Sequence, residues 1–161
     1  MSTVSCLAEV RGWLFDLIGG VLPGDVAFGW DMPNEPADTD GPNGLRRSVW
    51  LRADITAESE VTTMPLGYEE RWTQVVRVQC LPEDGSVDVP SADEAASELL
   101  DAIVDVVREN PRPSISALTP DGWGVVLTYG GFQYRSGRLD GGDGYAASFD
   151  INVNVEASRC S

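Results

Sequence analysis

The chain carries 26 aspartates and glutamates against 11 basic residues, every one of them arginine, and it contains neither lysine nor histidine. Without imidazole there is no Ser-His-Asp or Cys-His activation of a nucleophile, no histidine proton shuttle and no His-ligated zinc. Without a side-chain amine there is no P-loop lysine and no Schiff base. The remaining chemistry is a carboxylate pair of the glycosidase kind or an oxygen-ligated metal site. With so many acids in the chain, some pairing is unavoidable and carries no information. The run Leu139-Asp140-Gly141-Gly142-Asp143-Gly144 is glycine- and aspartate-rich like a calcium loop. Such loops act in tandem, and this run occurs once, so it reads as a turn. Cys6, Cys80 and Cys160 are odd in number and far apart, which fits neither a disulfide framework nor a CxxC metal knuckle. No catalytic residue, metal or cofactor is expected.

The formal charge of −15 opposes free nucleic acid as a ligand, because phosphate affinity comes mainly from basic side chains displacing counterions. The absence of lysine beside abundant Ala, Gly, Asp, Val and Arg is also what the codon bias of a high-GC genome produces. The Met1–Gly20 stretch includes Glu9, Arg11 and Asp16 and lacks a basic leader, so a secretory signal is not expected. No run is long enough to span a bilayer as a helix. The expected site of synthesis is therefore the cytoplasm, with no membrane partner. At 161 residues with 42% hydrophobic composition, the chain suits one domain with its own core.

The periodicities indicate where these side chains stand. Leu7, Val10, Leu14, Leu17 and Ile18 recur at helical spacing and predict an amphipathic helix over Val4–Ile18, stopped by Gly19 and Gly20. A long Gly/Pro/Asp-rich loop follows at about 20–45, interrupted by Val26–Trp30 as a candidate short strand. Arg47–Ile55 and Tyr68–Leu81 alternate as strands and should pair as an antiparallel hairpin, joined by a second polar loop at about 56–67. Ser91 and Glu94 form a capping box. The stripe Ala95, Leu99, Ala102, Ile103, Val106 and Val107 then predicts a helix closed by Asn110-Pro111. The last third reads as β, with Ser114–Leu118 as a short strand and Gly124–Tyr129 as a second that continues toward Phe132 and Tyr134. Tyr145–Ala157 is nearly perfect alternation. The predicted class is α+β: helix, antiparallel hairpin, helix, antiparallel hairpin, forming one mixed or antiparallel sheet with two helices packed on one face.

This order, with the stretch Tyr68-Glu69-Glu70-Arg71-Trp72-Thr73-Gln74-Val75-Val76-Arg77-Val78-Gln79-Cys80 leading by a short turn into Ser91-Ala92-Asp93-Glu94-Ala95-Ala96, resembles the tail-terminator (tail-completion) proteins of long-tailed bacteriophages. The resemblance covers nearly the whole chain in order and length. Its motifs are structural patterns without a chemical signature, and neck and head-completion (connector) proteins share parts of the layout. It implies a structural virion protein, made in the host bacterial cytoplasm. In the virion it would form a ring, a hexamer in that family, on the head-proximal end of the tail tube, where it ends tube polymerisation and joins tail to head. The implied partners are other copies of itself, the tail tube protein and a neck or head-completion protein, with DNA passing through without specific binding. A non-catalytic acidic binding module is the alternative from another class.

Three groups of residues bear on assembly. Trp30 and Met32 in the first loop and Glu58, Glu60 and Met64 in the second are candidate subunit or partner contacts, although Trp30 and Met32 would equally serve as a lid folded over the core. Ser148, Asp150, Asn152, Asn154 and Glu156 make up the polar face of the last strand, which holds no base and is the candidate channel lining. Glu94, Glu98, Asp101 and Asp105 form an acidic stripe on the second helix, with Arg108 near its end. Like charges at this spacing cost about 0.2–0.5 kcal/mol per pair. The stripe therefore reads as a contact for an Arg-bearing neighbour, as a wall that repels DNA, or as a solvated face.

Overall fold

The computed structural model describes residues 4–31, 45–63, 66–82, 89–138 and 145–160. Met32, Met64 and the Leu139–Gly144 run lie outside the described residues. The elements follow in the order α1 (Leu7–Gly19), β1 (Ala27–Trp30), β2 (Leu45–Leu51), β3 (Glu58–Thr63), β4 (Leu66–Pro82), α2 (Val89–Glu109), β5 (Trp123–Arg138) and β6 (Tyr145–Cys160). The architecture is the α+β sheet with helices that the sequence predicts.

The sheet is built outward from β4 and β6, which pair antiparallel from Gly67 opposite Cys160 to Cys80 opposite Ala147. Strand order is β1-β2-β4-β6-β5, with β3 also on β4. β2 takes the C-terminal part of β4 and β3 takes the N-terminal part, both antiparallel, while β1 joins β2 in parallel. Alternation sends Val76, Val78, Ile151, Val153, Val155, Val49 and Leu51 to one face, where all are buried. Both helices cover that face. α1 buries Val10, Leu14 and Ile18, and α2 buries Leu99, Ile103 and Val107. Burying each such side chain contributes about 1.5–3 kcal/mol, which makes this single-sided layer the main source of stability.

Several boundaries differ from the sequence reading. α1 starts at Leu7, not Val4, and Gly20 stays in the right-handed region at φ −68°, so no left-handed glycine cap ends the helix. The glycine that matters is Gly19, where an added Cβ would lie 2.8 Å from the Phe28 ring. α2 starts at Val89, which places Ser91 inside the first turn instead of at the cap. The far end is closed as expected, with the Asn110 amide N–H donating to Val107 O and its Nδ2 to Val106 O. Ser114–Leu118 is a turn, not a strand. Ile115 and Leu118 are buried three residues apart, a helical spacing, with Leu118 N–H bonded to Ile115 O. The loop expected at 56–67 contains β3, and both sides of its exposed residues meet water, so no alternation marks it.

Between the end of β2 and the start of β3, β4 has no strand neighbour on the side away from β6, and a polar staple fills the gap. Gln74 is wholly buried; its Nε2 donates to Arg52 O at 2.7 Å and its Oε1 accepts from Arg11 Nε at 3.0 Å. Arg11 also donates to the Arg52 and Ala53 carbonyls at 3.0 and 2.9 Å. Replacing Gln74 with Leu strands buried donors and acceptors on both sides. The expected loss is about 1–3 kcal/mol in unfolding free energy, measured by urea titration.

Candidate functional site

The polar residues of β6 share the helix-free face of the sheet, as their alternation predicts. Ser148, Asp150 and Asn152 are half-buried there, and Asn154 and Glu156 are exposed. The neighbouring strands change the character of this face. By register, Arg46 and Arg52 of the β2 side, Arg71 and Arg77 of β4 and Arg135 of β5 stand on it, opposite Glu58, Glu60, Glu69, Asp150 and Glu156. Five bases thus meet five acids, and the face is charge-mixed although β6 contributes no base to it, its one arginine, Arg159, falling by register on the other face.

The central contact is a two-pronged ion pair, with Arg77 Nε and one terminal nitrogen donating to the Asp150 oxygens at 2.6 and 2.8 Å. The Arg77 hydrogen bond holds the Asp150 carboxyl below its usual range against the opposing effect of burial, and the charges of Arg77, Arg135 and Arg52 act in the same direction. Beside this pair, Thr73 Oγ donates to Asn154 Oδ1 at 2.8 Å, and the Arg77 guanidinium lies 5.9 Å from the ring centre of buried Trp50. An open cleft of about 710 Å³ lies where β2 has ended and β3 begins, and it brings Glu58, Asn154 and Glu156 together with Asp54, Arg52 and Arg71. Carboxylates and guanidinium groups are mixed in its lining: Arg52 contacts Asp54 at 3.3 Å within the cleft, and Arg71 also reaches Glu60, which lies outside that lining, at 3.8 Å. The geometry suits neutral packing of paired charges better than an acid and base converging on a substrate.

Trp30 does not hang in a loop. It ends β1 and stacks on Phe15 of α1 at 5.0 Å, with the Arg11 guanidinium 4.9 Å from its ring centre, yet 40% of it is exposed. Glu58 and Glu60 stand exposed on β3. Glu94, Glu98, Asp101 and Asp105 all lie on the exposed face of α2. Arg108 is not their sole compensation: Arg47, almost fully buried on β2, reaches Glu98 at 3.8 Å while holding Asp25 at 2.8 Å, and Arg108 lies over the Tyr129 ring at 5.2 Å. Sequence reasoning missed Arg47 and Arg11 as organisers. Their only signal was a charged residue at a position where the pattern called for an apolar one.

It also missed the aromatic cluster of β5. Between Tyr129 opposite Val153 and Phe132 opposite Ile151, β5 spends one residue more than β6. Gly131 at φ +89° makes this bulge possible, since other residues reach that region only under strain. Beyond it Phe132 and Tyr134 turn to the helix side against Phe149, and the Tyr134 hydroxyl donates to Asp93. Both rings remain largely exposed, at 48% and 42%.

Because its folded pKa is depressed, Asp150 contributes stability above the ordinary carboxylate value near about 3.9 and loses it as the pH falls through the lower folded value. Asp150→Asn is therefore expected to cost about 1–2 kcal/mol at neutral pH, and the difference from the unaltered protein should shrink below about pH 4 in denaturant titrations. Burial pushes the Cys6 and Cys80 thiols up to about 12, helped at Cys6 by the neighbouring Glu70 charge. Iodoacetamide at pH 8 should leave both unmodified in the native protein and alkylate them after unfolding, as read by peptide mass spectrometry.

Compared with known proteins, the chain matches no family model and no curated sequence.

Proposed function

We propose that this protein is a non-catalytic structural subunit that closes into a ring on the head-proximal end of a phage tail tube, ending tube growth and joining tail to head. The observation that carries this reading is a sheet with two unlike edges. β5 lies at one end of the strand order, while β1 and β3 lie on the other side. A closed ring needs such a pair, because each subunit offers its neighbour two different surfaces related by rotation. Among the described residues the exposed large apolar side chains are Val4, Trp30, Val61, Val126, Phe132 and Tyr134. All but Val4 lie on those three edge strands, where a self-contained domain gains nothing by placing them.

In such a ring the helix-free sheet face is the surface assigned to the lumen. Arg52, Arg71 and Arg77 are paired with Asp54, Glu60 and Asp150 on it, and the face carries at least as many acids as bases, which leaves a passing polyanion no large positive patch to bind. The tail tube and a neck or head-completion protein would occupy the two rims.

The acidic binding module is the second reading, favoured by the exposed α2 stripe. The two readings separate by native mass spectrometry and negative-stain imaging of the concentrated protein, together with tube assembly in the presence of its tail tube protein. Rings with a central hole, and tubes that stop growing when the protein is added, are expected. A monomer that neither caps tubes nor limits their length would defeat the ring.

A further inference from the structure

The strand registers place matching groups of the two sheet edges at the same heights. Reading across the sheet, Trp30 of β1 stands opposite Leu51, Leu51 opposite Val76, Val76 opposite Ile151, and Ile151 opposite Phe132. Trp30 and Phe132 are thus level with each other on opposite edges, and both project to the helix side of the sheet. Lower down, Glu58 of β3 stands opposite Arg71, Arg71 opposite Glu156, and Glu156 opposite Val126. Beside that point the Pro111 carbonyl accepts the Leu127 N–H at 2.9 Å, which sets the exposed Arg112 against the same stretch of β5. An acidic strand, Glu58–Thr63, with two acids and no base, is therefore level with an arginine on the far side of the molecule.

Strand direction is compatible as well. β5 runs parallel to β4, since both are antiparallel to β6, whereas β3 is antiparallel to β4 and so is β1, through β2. In a ring whose strands run along its axis, rotation leaves these directions unchanged, so β5 of one copy meets β1 and β3 of the next in antiparallel orientation. Cross-strand partners in an antiparallel pair share a face, and the aromatics of both edges are already on the helix side.

We infer that the occupant of the β5 edge is a second copy of this chain, which adds its β1 strand antiparallel beyond Phe132–Arg135 so that Phe132 and Tyr134 pack on its Trp30. Its Glu58 and Glu60 face Arg112 at the lower end of the same seam. Main-chain pairing supplies affinity, and the aromatic and charged groups at the two ends fix the register. The Tyr134 hydroxyl bond to Asp93 and the stacking of Trp30 on Phe15 hold both rings in place before contact, which lowers the ordering cost of docking. The inference rests on the ring reading above and specifies its seam.

The test uses the full chain with Cys160→Ser and two further cysteines, Trp30→Cys and Phe132→Cys, at high concentration under mild oxidation. A ladder of disulfide-linked species from dimer upward is expected on a non-reducing gel. The out-of-level pair Val61→Cys with Phe132→Cys should give none. In a cysteine-unaltered background, Glu58→Arg should weaken self-association about tenfold by analytical ultracentrifugation, and adding Arg112→Glu to it should restore association. Oligomers that form without the Trp30–Phe132 ladder and ignore the charge exchange would overturn this seam and leave the ring standing. A chain that stays monomeric throughout overturns the seam, and the ring falls with it only if tubes also go uncapped.

Discussion

The whole molecule depends on a core that lies on one side of its sheet. The long β4–β6 ladder presents Val76, Val78, Ile151, Val153 and Val155 to α1 and α2, and these residues belong to one continuous buried cluster among the described residues. A sheet packed on one face only must make its other face polar, and this one does so by distributing charges of both signs across strands that are distant in sequence. The Arg77–Asp150 pair ties β4 to β6 on the polar side at the same point where Val76 and Ile151 meet on the apolar side. Polar and apolar contacts therefore reinforce one register, and a slip of one residue would exchange both faces at once.

The same one-sidedness explains the place of α1. It is smaller than α2 and covers the region where β2 turns away from β4, so the backbone there needs partners other than a strand. Arg11 and Gln74 provide them from the helix and from the sheet, and Asp31 adds a bond from Ala53 N–H at 2.8 Å. Partly burying the Arg11 guanidinium is tolerated because carbonyls and a ring face stand against it. Burial alone would favour the neutral form of Arg11, and the Asp31 charge opposes that. The cleft between β2 and β3 is the visible remainder of this departure.

Much of this was legible in the sequence wherever one face of an element is buried. β4, β6 and α2 each repeat an apolar residue at the period of their geometry, and the structure places them as read, within a few residues at the ends. β3 was not legible, because a strand exposed on both faces has no reason to alternate, and Glu58–Thr63 resembles a loop until β4 is seen beside it. The polar face of β6 could be read as a set, but not its electrostatic character. Arg77, Arg71 and Arg135 arrive from other strands through pairings that a single sequence does not display. Arg47 was hidden for a similar reason, since a buried arginine makes sense only once Asp25 and Glu98 are known to converge on it.

The least legible feature bears most on what the protein presents to a partner. Had β5 continued its alternation through Leu127 and Tyr129 without the extra residue, Gly131, Gln133 and Arg135 would have followed them onto the helix side. Phe132 and Tyr134 would then have stood on the charged face beside Asp150. The bulge at Gly131 reverses this assignment, places both aromatics beside Phe149 and sends Arg135 to the side where it supports Asp150. One glycine conformation thus sorts the free end of β5 into an apolar side and a basic side. An edge sorted in this way can accept another strand in only one of the two possible registers, because the alternative would set rings against carboxylates and leave Arg135 among apolar groups.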